Sequence, residues 1–147
     1  MSRFVVAGFA LLVFVAVHSA ATSVPVNAKS AEVQLAQGMS SEELMKRGKR
    51  VFLMCRSCHT LDEAGRHKVG PNLWGVFGST AGARDGFRYS DVVKESGLIW
   101  SAETIEEWLV KPRDFLPGNK MAFRGVRKPE DRAALIAYLK SETGAEE

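Results

Sequence analysis

Apolar residues recur with the spacing of an α-helix in several stretches of the chain, and no stretch alternates in the way a β-strand does. The first helix is predicted to begin after Ser40, which forms the sequence pattern of a capping box with Glu43, and to end near Cys55. Its apolar face is predicted to contain Leu44, Gly48, Val51 and Phe52. The pattern as a whole predicts an all-α fold.

Further helices are predicted towards the C-terminus. A short one is expected over residues 89–95, stopped by Gly97. The next begins after a cap at Ser101 and ends at Pro112. Pro129 opens the last helix, at a position where its missing N–H is not needed. The buried positions of the two longer helices are predicted to be Ile105, Trp108, Leu109, Leu135, Ile136, Tyr138 and Leu139.

Long loops separate these helices. Residues 60–87 contain six glycines and Pro71, and residues 112–128 also lack a helical pattern. Loops of this length are uncommon in a compact domain and need a surface on which to pack. They therefore predict a large cofactor.

The N-terminus has the layout of a secretory signal. Arg3 precedes an uncharged run over residues 4–17, and small residues follow, so cleavage is predicted after Ala21 or Ala28. An uncleaved anchor over residues 4–21 is the alternative, since such a helix nearly spans a hydrocarbon core about 30 Å thick. Either form exports the rest of the chain to the periplasm.

The predicted organisation is a signal or anchor over residues 1–28, a flexible lead-in over residues 29–40 and one domain over residues 41–147. A chain of 147 residues, of which 46% are hydrophobic and 25% charged, is typical of a single globular domain. Two cysteines cannot build a disulfide-rich scaffold. A single apolar run excludes a polytopic membrane protein.

Both cysteines lie in one C-x-x-C-H motif, formed by Cys55, Cys58 and His59. This spacing is the attachment signature of a covalent haem. The two thiols add across the two porphyrin vinyl groups, which one helical turn brings within reach, and His59 then reaches the iron from the same side. Two free thiols would not be left idle in an oxidising compartment, so the predicted export supports this interpretation.

Other uses of these residues are less favoured. A thioredoxin-like dithiol needs a βαβ setting, which the pattern lacks. A zinc site needs four ligands, and Cys55, Cys58, His59 and His67 could be counted as such, but the adjacent Cys58 and His59 rarely converge on one small ion. A simple disulfide would leave the long loops unexplained.

The sixth iron position has two candidate ligands. Met121 lies on the 112–128 loop, which is free to cross the other haem face. His67 is the second choice, because it falls only about eight residues after His59 and is expected to stay on the surface. Ligation by His and Met raises the reduction potential and fills the iron, which favours electron transfer over catalysis. An open iron with peroxidase or gas-binding activity is the alternative.

From Gly48 to about Lys140 the chain resembles the class I soluble cytochromes c of mitochondria and bacteria. The resemblance implies a cytochrome c fold, in which a few helices and long loops wrap one covalent haem, and a carrier of single electrons that is not an enzyme. The matching stretches, in order along the chain, are residues 48–52, 55–60, 70–78, 86–90, 97–100, 117–123 and 135–139.

Roles for individual residues follow from the same resemblance. It implies that His59 is the proximal ligand and Met121 the distal ligand, and that the Pro71 carbonyl accepts the second imidazole proton of His59. Tyr89 and Trp100 would hydrogen-bond a buried propionate. The first helix would pack on the last through Gly48, Phe52, Leu135 and Tyr138, with Phe123 shielding the distal edge.

The sequence departs from the family at two positions of the site. Trp108 stands where the distal pocket usually holds a tyrosine, and Ser79 stands where an arginine often neutralises the propionate. The loss of that arginine is expected to lower the reduction potential.

The net charge of +3 is modest, and the basic residues carry no base-reading motif, so nucleic acid is not an expected partner. A positive ring around the haem edge would steer docking to acidic redox proteins. The expected partners of this monomer are a quinol–cytochrome c oxidoreductase together with a terminal oxidase or a photosynthetic reaction centre. The basic residues near the site are Arg66, Lys68, Lys111, Arg113, Lys120, Arg124, Arg127 and Lys128.

Overall fold

The computed structural model of the protein describes residues 38–145, so the predicted signal and most of the lead-in lie outside the described residues. This part contains five helices and no strand, apart from one isolated antiparallel bridge between Thr80 and Ile99. The all-α prediction is confirmed. None of the helices within residues 38–145 has the length and apolar character needed to cross a membrane. The helices are α1 (Ser41–Phe52), α2 (Asp91–Lys94), α3 (Ala102–Val110), α4 (Pro112–Phe115) and α5 (Pro129–Glu142).

The starts of the helices follow the sequence signals closely. The Ser40 hydroxyl accepts from the Glu43 N–H at 3.2 Å, and the Glu43 carboxylate accepts from the Ser40 N–H at 2.9 Å, so the predicted capping box is present. Ser101 caps α3 in the same reciprocal way with Thr104. Pro129 occupies the first turn of α5, as predicted.

The predicted ends were less accurate. Helix α1 ends at Phe52 rather than near Cys55, and the haem motif lies in the turns that follow it. Helix α3 ends at Val110 because Lys111, which precedes a proline, is extended with φ −165°. Pro112 then begins α4, in a region predicted to be loop, because proline is tolerated in a first turn.

The main packing contact is between α1 and α5. A Cβ atom on Gly48 would collide with the carbonyl of Ala134 and with the Tyr138 side chain, so only glycine permits this approach. The ring of Phe52 lies 5.7 Å from that of Tyr138. At the other end of the contact, Arg47 pairs with Asp131 at 2.6 Å.

Helix α3 is tied to α5 by a buried arginine. The Arg132 Nε atom donates to Glu106 at 2.6 Å, and its Nη1 atom donates to the carbonyls of Val126 and Arg127 at 2.9 and 3.0 Å. The side chain of Arg132 is only 8% exposed, so these bonds compensate a charge that burial would otherwise penalise.

The apolar core also forms one wall of a large cavity. Leu109, Leu135 and Leu139 belong to the buried core cluster and line the cavity as well. The remaining walls come from the long loops. The helices therefore position the site directly.

Candidate haem site

A cavity of about 760 Å³ lies between the helices and the long loops. This volume falls within the range of sites for cofactors and small ligands. Its lining is mostly apolar, with a few polar groups on the loop side. All seven residues that the sequence analysis assigned to the site line this one cavity: Cys55, Cys58, His59, Pro71, Tyr89, Trp100 and Met121.

The C-x-x-C-H motif forms one turn after the end of α1. The Cys55 carbonyl accepts from the backbone N–H groups of both Cys58 and His59, each at 2.9 Å. Burial raises the pKa of the Cys55 thiol to about 11, which shows how far this side chain is removed from water. The turn places both sulfur-bearing side chains and the imidazole on the same cavity.

The orientation of His59 is set by the loop that follows it. Its Nδ1 atom lies 2.7 Å from the Pro71 carbonyl oxygen, and since a carbonyl only accepts, Nδ1 carries the proton. Burial lowers the pKa of His59, which favours the neutral imidazole. A Cβ atom on Gly70 would collide with the His59 ring, so this glycine makes room for the imidazole. The Nε2 atom of a neutral ring in this tautomer is free to bind a metal.

His67, the second candidate for the sixth ligand, is occupied elsewhere. It lies on the cavity wall rather than on the open surface, where the sequence analysis expected it. Its Nδ1 atom accepts from the Asn72 N–H at 3.0 Å, and its Nε2 atom lies 2.8 Å from the Asp85 carbonyl oxygen. Both ring nitrogens are therefore used in hydrogen bonds between segments of the loop, and neither is available to a metal.

The loop that carries Met121 is held by one amide side chain. Asn119 Nδ2 donates to the carbonyls of Pro112 and Leu116, both at 2.8 Å, and its Oδ1 atom accepts from the Met121 N–H at 2.9 Å. These bonds fix the backbone at Met121 next to the cavity.

An aromatic wall closes one side of the cavity. Trp100 and Trp108 meet edge to face with ring centroids 5.4 Å apart, and Trp108 meets Phe115 in the same way at 5.9 Å. Trp108, which replaces the usual tyrosine, thus packs between two other rings.

The surroundings of Ser90 indicate that the cavity suits a cofactor with polar groups at one edge. Ser90 is one of the residues that line the cavity, and its hydroxyl is the one buried side-chain polar atom within residues 38–145 that has no hydrogen-bond partner. An unpaired buried hydroxyl costs free energy and calls for an acceptor. Next to it, burial raises the pKa of the Tyr89 phenol, which therefore stays protonated and able to donate. A largely apolar cavity with hydroxyl groups at one side fits a haem, whose ring is apolar and whose propionates accept hydrogen bonds.

The other uses of the cysteines find no support in the described structure. Within it, no group of three or more His, Cys, Asp or Glu side chains is placed to hold a metal ion, so the four-ligand zinc site has no counterpart. Cys55 and Cys58 do not form a disulfide, and among residues 38–145 no strand adjoins them to form a βαβ unit.

A helical chain whose C-x-x-C-H motif opens onto a large apolar cavity defines the class of proteins with a covalently bound haem. Comparisons with known proteins agree with this class. The family model described as "Cytochrome c" matches residues 45–143. The chain therefore belongs to the cytochrome c family.

Individual relatives match 61–67% of the chain. A "Cytochrome c" from Chlamydomonas reinhardtii is 47% identical over 100 residues, which are 67% of this chain and 89% of that protein. A "Cytochrome c" from Sesamum indicum is 44% identical over 100 residues, covering 67% of this chain and 90% of the relative. A "Cytochrome c2 iso-2" from Magnetospirillum fulvum is 50% identical over 90 residues, which are 61% of this chain and 93% of that protein.

Membership of the family fixes the general function. The protein is a monohaem electron carrier with a covalent haem c, and it is an electron-transfer protein rather than an enzyme. The expectation of an all-α cytochrome c fold is confirmed.

Sequence reasoning missed four residues of the site: Asn72, Arg84, Ser90 and Asn119. Asn72 is buried, and its amide bonds Thr60 and Asp62, which ties the loop after the motif together. An asparagine beside a proline or glycine in a long loop was the available signal for Asn72 and Asn119, because such side chains bond nearby backbone.

Proposed function

We propose that this protein is an exported electron carrier whose haem is bound by Cys55 and Cys58 and whose iron is bound by His59 and Met121. The observation that carries the proposal is the placement of all four side chains on one cavity. His59 presents a free Nε2 atom, because its other ring nitrogen is bonded to Pro71. A haem bound here supplies a one-electron couple.

The ligand set explains why the site serves electron transfer. Two protein ligands leave no open iron position for a substrate, and a methionine ligand raises the reduction potential. His67 cannot take the second position while its nitrogens bond Asn72 and Asp85. Tyr89 and Trp100 line the same cavity. Their hydroxyl and indole N–H groups are proposed to bond a propionate.

The distribution of surface charge favours docking of acidic redox partners. The segment around Met121 exposes several cations, whereas α3 exposes Glu103 and Glu107. We propose a monomer that exchanges electrons with a quinol–cytochrome c oxidoreductase and with a terminal oxidase or a photosynthetic reaction centre. Such docking is fast at low salt and slows as salt screens the charges. The exposed cations of this segment are Arg113, Lys120, Arg124, Arg127 and Lys128.

The proposed location is the periplasm. Residues 1–28 have the pattern of a signal, residues 29–40 that of a lead-in, and residues 41–147 form the proposed haem domain. The mass of the native protein distinguishes cleavage after Ala21 or Ala28 from a retained anchor.

The visible spectrum of the haem-loaded protein tests the iron ligands. The oxidised form is expected to show a methionine–iron charge-transfer band, and the reduced form is expected to remain unchanged when carbon monoxide is added. Ready binding of carbon monoxide without that band would reveal an open iron and would contradict the proposal.

A further inference from the structure

A cation lines the loop side of the cavity without a carboxylate partner. Arg84 is half-buried, and its side chain makes one hydrogen bond, from Nη2 to the Trp74 carbonyl oxygen. No Asp or Glu of residues 38–145 forms an ion pair with it, including its neighbour Asp85, which borders the same cavity. A guanidinium has five N–H donors, so most of those of Arg84 are unused.

The surroundings of Arg84 point to an anion inside the cavity. Tyr89 and Ser90, whose buried hydroxyl has no hydrogen-bond partner, line the cavity on the same loop. The positive charge of Arg84 acts on Tyr89, lowering the pKa of the phenol against the larger, opposite effect of burial. An arginine and two hydroxyl-bearing residues on one side of a mostly apolar cavity are the residue types that bind a carboxylate.

We propose that Arg84 is the cation that pairs with a haem propionate in this protein. This inference rests on the proposed haem site and assigns the polar end of the cofactor to the loop that contains Arg84. It also revises the expectation that the lack of an arginine at position 79 lowers the reduction potential. The Ser79 hydroxyl donates to the Val76 carbonyl at 2.7 Å and carries no charge. The charge that position 79 lacks is supplied from position 84.

Two other cations line the same cavity: Lys120, which is exposed on the loop that carries Met121, and Arg88, which is the competing cation on the loop of Arg84. The side chain of Arg88 is exposed and has no bond that fixes it within the described structure, whereas the Trp74 carbonyl holds Arg84 in place. A cation held in a partly buried position interacts more strongly with a nearby charge than one surrounded by water. The structure therefore favours Arg84 over Arg88.

The test compares Arg84→Gln with Arg88→Gln in the haem-loaded protein. Each variant removes one charge from the same loop, so the net charge of the two is equal. Loss of a cation beside the haem favours the oxidised iron. At a fixed applied potential, the ratio of reduced to oxidised protein is expected to fall about fivefold in Arg84→Gln. It is expected to change less than twofold in Arg88→Gln.

Two further variants separate charge from structure. Arg84→Lys keeps the charge and is expected to stay within twofold of the wild-type ratio. The double variant Ser79→Arg/Arg84→Gln supplies the charge from the other position and is expected to recover most of the loss. A merely structural role for the bond to Trp74 would lower the stability of Arg84→Gln and leave the redox ratio unchanged.

The outcomes are distinct from those of the haem proposal itself. The pyridine haemochrome spectrum first establishes that each variant carries one haem. If the wild type carries none, the proposed function fails. If all variants carry haem and Arg84→Gln changes the ratio no more than Arg88→Gln does, the assignment of Arg84 is wrong. A larger change in Arg88→Gln would transfer the role to Arg88.

Discussion

The Nδ1 atom of His59 lies 2.7 Å from the carbonyl oxygen of Pro71, and Gly70, between the two in the chain, has no side chain to obstruct the ring. The backbone of Gly70 does not have a positive φ, so the glycine is required for space rather than for conformation. A side chain here would displace the imidazole that is proposed to bind the iron.

Gly70→Ala is therefore expected to disturb the iron site. The added methyl group overlaps the His59 ring, and such overpacking costs about 1–3 kcal/mol of unfolding free energy. Visible spectra and denaturant unfolding of the haem-loaded variant measure the two effects. Gly97→Ala is the matched control. Its positive φ of 63° makes alanine cost about 1 kcal/mol of unfolding free energy, but nothing lies within 4 Å of the added methyl group. An unchanged spectrum in Gly70→Ala would contradict the proposed role of the ring.

Met121→Ala tests the proposed distal ligand. Removal of the thioether is expected to abolish the methionine–iron band, to open the iron to carbon monoxide and to lower the reduction potential by on the order of 0.1 V. Met45→Ala serves as the control, since Met45 lies on α1 away from the cavity lining. Retention of the band in Met121→Ala would exclude Met121 as the ligand.

Gly48→Ala tests the contact between α1 and α5. Alanine is normally better than glycine in a helix by about 0.5–1 kcal/mol, so an exposed position would be stabilised. Here the methyl group collides with the Ala134 carbonyl, and a net loss of about 1–2 kcal/mol is expected in guanidinium unfolding. Lys46→Ala on the exposed face of α1 should change stability by less than about 0.5 kcal/mol. A stabilising effect of Gly48→Ala would show that the helices are further apart.

Arg132→Met probes the buried ion pair between α3 and α5. The variant leaves Glu106 and two carbonyls without their donor, and a loss of about 3 kcal/mol is expected. Arg47→Met breaks a pair that is about a quarter exposed on each side, so its cost should be about 1 kcal/mol or less. If chemical denaturation gave equal losses of unfolding free energy for the two variants, burial of Arg132 would not strengthen its ion pair.

The helix starts and the turn that carries the C-x-x-C-H motif could be predicted because their signals are local. Ser40 with Glu43, Ser101 and Pro129 mark helix starts through contacts within a few residues, and the haem motif lies within a single turn. The helix ends were predicted less accurately. After Phe52 the backbone continues in turns, and where these begin and end depends on the loops packed against them.

The polar edge of the cavity could not be predicted, since it depends on contacts between distant loops. Nothing in the local sequence indicates that the Ser90 hydroxyl lacks a partner, or that Arg84 reaches the Trp74 carbonyl. The position of His67 on the cavity wall likewise follows from its bonds to Asn72 and Asp85, which belong to separate stretches of the loop.

The three hydrogen bonds of the Asn119 side chain have a consequence for the speed of electron exchange. A change in iron charge favours small shifts of the surrounding groups, and the free energy of those shifts slows the transfer. Asn119 joins the Met121 backbone to Pro112 and Leu116, and these three bonds oppose movement of the loop. With Met121 as the proposed iron ligand, we expect this loop to contribute little to the reorganisation energy of electron exchange.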